Sequence, residues 1–166
     1  MSPYVQKLRV AVRLSQPNRD PREGWFLLLP RLGQESRPET ILELLNASRS
    51  VIPFIQADDA SVLLLTRLNI DWVGVGPGVA SNLVFPPDEP VTHEQRVELR
   101  FVDERRLEAT VQWWAGEQNL RLSDFLCAST GFIAAQTGFG TLMVNLGRVR
   151  ETRIAESTAR VLDPVE

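Results

Sequence analysis

Three glycines at alternate positions, Gly74, Gly76 and Gly78, follow an apolar stretch, and a nucleotide-binding turn begins with that spacing. Such a site needs a further glycine opening a helix, whose free N–H groups meet the phosphates, and an acidic residue about 20 positions on. Here Pro77 interrupts the run and Phe85-Pro86-Pro87 follows in place of a helix, so the segment reads as a linker. A second glycine-bearing stretch, Thr137-Gly138-Phe139-Gly140-Thr141, lacks the Gly-Lys-Ser/Thr ending that supplies a lysine to phosphate and a hydroxyl to magnesium. It reads as a hairpin turn.

The remaining reactive side chains are isolated. A zinc site needs several His, Cys or carboxylate groups at ligand spacing, and the chain has one histidine, His93, and one distant cysteine, Cys127. Asp58-Asp59 lacks the alternating acidic series of a calcium loop and reads as a turn. A Ser-His-Asp arrangement would have to use His93, which sits in the Pro-rich linker, and no G-x-S-x-G elbow presents a serine. Any two of the 21 acidic residues could converge, but no spacing singles out a pair. Cys127 has no disulfide partner and its place in an apolar helical pattern reads as a small core residue. No catalytic residue, metal ligand or cofactor is therefore expected.

Net charge is −3, the wrong sign for a chain held to phosphates by bulk electrostatics, so no nucleic-acid partner is expected. Lys7 is the sole lysine among 18 basic residues, which reads as the codon bias of a GC-rich genome. Arg9, Arg13, Arg96 and Arg100 then read as ordinary surface charges. The opening residues lack an apolar leader and no run reaches about 18 apolar residues, so a cytoplasmic protein without membrane insertion is expected. The sequon-like Asn46-Ala47-Ser48 reads as chance in that setting.

The elements that position these residues come in two echoing sets. Ile41 to Ser48 and then Pro53-Phe54-Ile55 returns as Leu122 to Ser129 and then Gly131-Phe132-Ile133. Val10 to Leu14 returns as Val97 to Phe101, and Val62 to Leu65 as Thr141 to Val144. The alternation of Leu8, Val10, Val12 and Leu14 predicts a half-buried strand, and Trp25 to Leu29, apolar on both faces, predicts one covered on both sides. Ile41, Leu44 and Leu45 lie on one helical face. The expected fold is mainly β: two pseudo-repeated β-β-α-β-β units packed together, each short enough to curl as a small barrel. The first repeat spans residues 1–75, a Gly/Pro-rich linker 76–95, the second repeat 96–155 and a C-terminal tail 156–166. The doubly apolar strands Trp25 to Leu29 and Val62 to Leu65 are expected to bury against the second repeat.

Arg121-Leu-Ser-Asp-Phe-Leu126 followed by Phe132-Ile133 resembles the R-L-S-D-F-L and F-I signature of an uncharacterised small bacterial β-rich domain family. The likeness covers the second repeat well and the first loosely, since Leu42-Glu43-Leu44 stands where Ser123-Asp124-Phe125 stands in the second. It implies a compact β-rich fold and carries no catalytic residues across.

One residue departs from its local pattern. In the strand predicted from Leu107 to Trp114, Leu107, Ala109, Val111 and Trp113 form the core face, while Trp114 falls with Glu108, Thr110 and Gln112. An indole on a polar face either covers the other repeat or anchors a partner. The function expected is a non-catalytic protein-interaction or scaffold protein, with a protein partner or self-association and Trp114 as a candidate interface residue. The alternative is a small-ligand or nucleotide-sensing β-barrel.

Overall fold

The structure, a computed structural model, describes residues 7–30, 37–86, 89–118, 120–155 and 160–162. Residues 31–36 of the polar stretch Arg31 to Pro38, which reads from sequence as a loop, lie outside them, as do the opening residues 1–6 and most of the expected tail. The first half runs β1 (Leu8–Ser15), β2 (Arg22–Leu28), α1 (Ile41–Asn46), β3 (Ile52–Gln56), β4 (Val62–Leu65), a 3-10 turn (Arg67–Asn69) and β5 (Trp72–Val75). After a 3-10 turn at Ser81–Leu83 the second half runs β6 (His93–Phe101), β7 (Arg106–Trp113), α2 (Leu122–Ala128), β8 (Phe132–Thr137), β9 (Gly140–Asn145), a 3-10 turn (Leu146–Arg148) and β10 (Val149–Ile154). A short β11 (Arg160–Val161), within the expected tail, also pairs with β6. Each half thus ends in a fifth strand beyond the β-β-α-β-β run read from sequence.

The fold is mainly β, as expected: one antiparallel sheet in the order β10-β6-β7-β8-β9-β5-β1-β2-β3-β4. Each half has its fifth strand beside its first, then the second, third and fourth. The sheet does not close, and the expectation of barrel-like units is corrected. Closing the first half would require β4 to bond β5, and closing the second would require β9 to bond β10. Instead β5 and β9 bond each other, Trp72 opposite Val144, Val73 opposite Met143 and Gly74 opposite Leu142.

This pairing places two cores on opposite faces of the sheet. Side chains alternate along a strand. Val73 and Val75 face the first core, joined by Met143 and Phe132 from the second half. Leu142 and Val144 belong to the second core, with Trp72 packed against it. Neighbours in sequence on β5 and β9 therefore sit in different cores.

The helices follow from local sequence. Thr40 caps α1 by accepting from the Glu43 N–H at 3.2 Å, while the Glu43 carboxylate accepts from the Thr40 N–H at 2.8 Å. Ile41, Leu44 and Leu45 are fully buried. In α2, Leu122, Phe125 and Leu126 turn toward the second core, which leaves Cys127 exposed. The reading of Cys127 as a core residue is corrected: it lies off the face set by those three residues.

Asn46, at the end of α1, ties the halves together. Its side chain donates to the Phe132 carbonyl at 3.0 Å and accepts from the Phe132 N–H at 2.8 Å. A Cβ on Gly131, which has φ of 89°, would lie 2.5 Å from the Asn46 Oδ1, so the approach requires glycine there. Asn46→Ala leaves both Phe132 backbone groups unpaired and is expected to cost about 2 kcal/mol in a denaturant titration.

The junction also holds a buried charge. Asp71, fully buried, accepts from Arg105 and, at 3.1 Å, from the Arg148 Nε. Arg105 donates further to Ser15 Oγ at 3.2 Å, the Gln16 carbonyl at 3.2 Å and Asp103 at 2.6 Å. One guanidinium thus joins the β6–β7 turn to the end of β1.

Candidate interaction surface

Where the halves meet, a cleft of about 740 Å³ opens on the face that is outer for the first half and inner for the second. The ladders explain its composition. Ala11 lies opposite Trp25, Arg13 lies opposite both Glu23 and Gly74, and Gly74 lies opposite Leu142. All six line the cleft, together with Trp72, Leu107 and Phe139. Gly74 is confined: a Cβ there would meet Leu142 at 3.0 Å and the Trp72 ring at 3.4 Å. Gly74, the first glycine of the run that resembles a nucleotide-binding turn, is a buried strand residue in the cleft, and β5 ends at Val75.

Phe139 stands at the rim, on the two-residue tip of the β8–β9 hairpin between Thr137 and Gly140. It is 92% exposed, the most exposed large apolar side chain among the described residues. The hairpin reading of this stretch holds. Trp25 is half-buried, with the Arg9 guanidinium 4.9 Å from its ring centroid. The cleft therefore offers two indoles and a phenyl ring beside one basic and one acidic side chain, a combination suited to an apolar or aromatic group whose orientation is fixed by polar contacts.

The residues singled out in the sequence lie elsewhere. Trp114 follows the last residue of β7 and is 48% exposed, next to a smaller hollow of about 360 Å³ that it lines with Leu42, Phe85 and Gln112. Trp113 is buried and stacks on Phe125 at 5.7 Å between ring centroids. His93 opens β6, outside any linker, with Nδ1 2.9 Å from the Thr92 hydroxyl and its ring 5.5 Å from Trp113. Asp59 is a turn residue: Ser61 donates to it from its hydroxyl at 2.7 Å and its N–H at 3.0 Å, and these bonds hold its carboxyl below the ordinary value. Among the described residues no three His, Cys, Asp or Glu side chains form a group that could hold a metal. No helix among them is long and apolar enough to cross a membrane.

Trp25 and the Val62–Leu65 strand are not buried against the second half, contrary to expectation. Trp25 faces the cleft, and Val62 and Leu64 are 61% and 66% exposed. The sequence signal for the cleft was present in the two-sided apolar character of β2, but which outer face would stay open depends on how the halves join. Phe139 carried the other signal, as an aromatic at a hairpin tip. No protein-family model, curated protein or solved structure matches this chain.

Proposed function

We propose that the chain is a non-catalytic protein-interaction module, built as an internal repeat, that receives an apolar segment of a partner protein in the junction cleft. The observation that carries this reading is the exposed Phe139 at the rim of a cleft holding Trp25 and Trp72. Aromatic side chains in a concave site are the usual anchors of a protein interface. The identical strand order of the halves supports the internal repeat. The negative net charge supports a protein partner rather than a nucleic acid, and the cytoplasmic setting and bacterial origin belong to the same proposal.

Phe139→Ala is expected to weaken partner binding by about 2 kcal/mol, as for an interface anchor, with an unchanged melting curve. Pull-downs with both forms, followed by titration of the captured partner, measure it; equal capture by both removes the cleft from the reading. Trp114→Ala, tested in parallel, is expected to lower the melting temperature little because the indole is half exposed, and any loss of capture would place a second anchor there.

The size of the cleft supports a second reading, binding of an apolar small molecule, since ligand sites commonly span about 300–1,000 Å³. Native mass spectrometry of the purified protein separates the two: a retained ligand of constant mass favours the second.

A further inference from the structure

We infer that this chain assembles head to tail with further copies of itself, the free edge of β4 pairing with the free edge of β10 in the next copy. The surface lies outside the junction cleft, and the inference stands whether or not the cleft takes a partner.

The internal junction supplies the template. There the fourth strand of one half, β9, pairs with the fifth strand of the other, β5. The same strand order in both halves leaves one fourth strand and one fifth strand unused among the described residues: β4, bonded there to β3 alone, and β10, bonded there to β6 alone, at the two ends of the sheet. One chain thus carries both components of the joint it has already made once.

Side-chain positions agree with this joint. With Val62–Leu65 laid on Thr141–Val144, Leu64 takes the place of Met143, whose side chain leaves its own core and is fully buried in the core of the other half. Leu64 also points away from its own core, but it is 66% exposed, as Val62 beside it is at 61%. No charge or proline guards β4, although natural edge strands commonly carry such protection. Val73 of β5 corresponds to Thr152 of β10, since they lie opposite Leu14 and Leu99, each facing its own core. The template register then sets Leu64 opposite Thr152 and Val62 opposite Ile154, itself 50% exposed. The exposed side chains of β4, Val62 and Leu64, meet the uncharged side of β10, Ile154 and Thr152.

The charges of β10 do not oppose this. Glu151 and Arg153 alternate with Thr152 and Ile154 and so face the other side, where Glu151 is paired with Arg100 at 3.5 Å. The bulge between Val149 and Glu151 precedes the four regular residues that match the four of β4. A joint between unlike surfaces repeats from copy to copy, giving a ring where the rotation closes and a filament where it does not.

Sedimentation of the full chain tests the inference, with Leu64→Lys to block β4 and Ile154→Lys to block β10. The wild type is expected to sediment above the single-chain mass. Each variant is expected to fall to that mass, and an equimolar mixture to reach twice that mass and no more, because only one compatible pair of edges remains. Both positions are half exposed or more in the single chain, so the variants' melting curves are expected to overlay that of the wild type diluted to the single-chain mass. A wild type that stays at the single-chain mass overturns the inference. So does association lost in Leu64→Lys but kept in Ile154→Lys, which would mean β4 pairing with β4, and so does a mixture that stays at the single-chain mass. Amide exchange on the wild type decides independently of any variant: 62–65 and 151–154 should gain protection together as concentration rises, and a gain in one segment alone overturns the joint.

Discussion

Gly24→Ala is expected to lower stability by about 3 kcal/mol, at the upper end of what overpacking costs. Gly24 lies on the core side of β2, opposite Val12 of β1 and Gln56 of β3. A methyl group there would overlap the Ile55 carbonyl oxygen and come within 2.5 Å of the Phe54 ring. Neither neighbour can give way cheaply. The carbonyl belongs to the sheet backbone, and Phe54 is fully buried, edge-on to Phe26 at 5.9 Å between centroids. For a chain of this size the melting temperature should fall by about 6–12 °C. A melting curve within a degree or two of the wild type would show that β2 and β3 can separate without loss.

The second large effect concerns the Asp71 network, where the order of two variants matters more than either value. Arg105→Met removes a guanidinium that remains 38% exposed and leaves behind a carboxylate with no exposure, held among the described residues by Arg148 alone. That carboxylate cannot recover its water, so the cost is expected to be about 3 kcal/mol, as for a buried pair broken from one side. Asp71→Asn leaves the reverse: two guanidiniums, 38% and 21% exposed, that can hydrate. It is expected to cost less, about 2 kcal/mol, because what remains is partly exposed. Urea titrations of both variants give the order, and a larger loss for Asp71→Asn would mean that Arg105 acts through packing rather than charge.

Elements with a strong local period were legible in the sequence. The alternation in Leu8 to Leu14 and the spacing of Ile41, Leu44 and Leu45 gave β1 and α1 because each pattern reports a single buried face. β5 and β10 were not legible as fifth strands, for opposite reasons. Trp72-Val73-Gly74-Val75 is apolar on both sides because it serves two cores, which removes the period. Val149 to Ile154 is charged on its outer side and needs β6 to define it as a strand. The sequence echo between the halves is out of register with the strand ladders. With Val62–Leu65 laid on Thr141–Val144, the ladders place Ile52 where Ile133 stands and Phe54 where Ala135 stands, so Phe54-Ile55 does not correspond to Phe132-Ile133. Consecutive apolar residues match equally well at several offsets, and only the ladder and the core faced select one. The Asp71 network and the cleft join residues far apart in the chain, and no local pattern marks them.

The exchange of side chains at the junction also bears on how the protein is made. A ribosome delivers all five strands of the first half well before Phe132 and Met143, two of the residues that line its core. Until those emerge, the nascent first half has an incomplete hydrophobic wall, with an open β5 edge at one end of its strand order and an equally open β4 edge at the other. Partly built sheets of this kind are where polypeptides on neighbouring ribosomes join wrongly. The interval between translation of Val75 and of Val144 is therefore the vulnerable period in the life of this chain, and slow codons within it would be expected to lower the yield of folded protein more than the same codons placed after it.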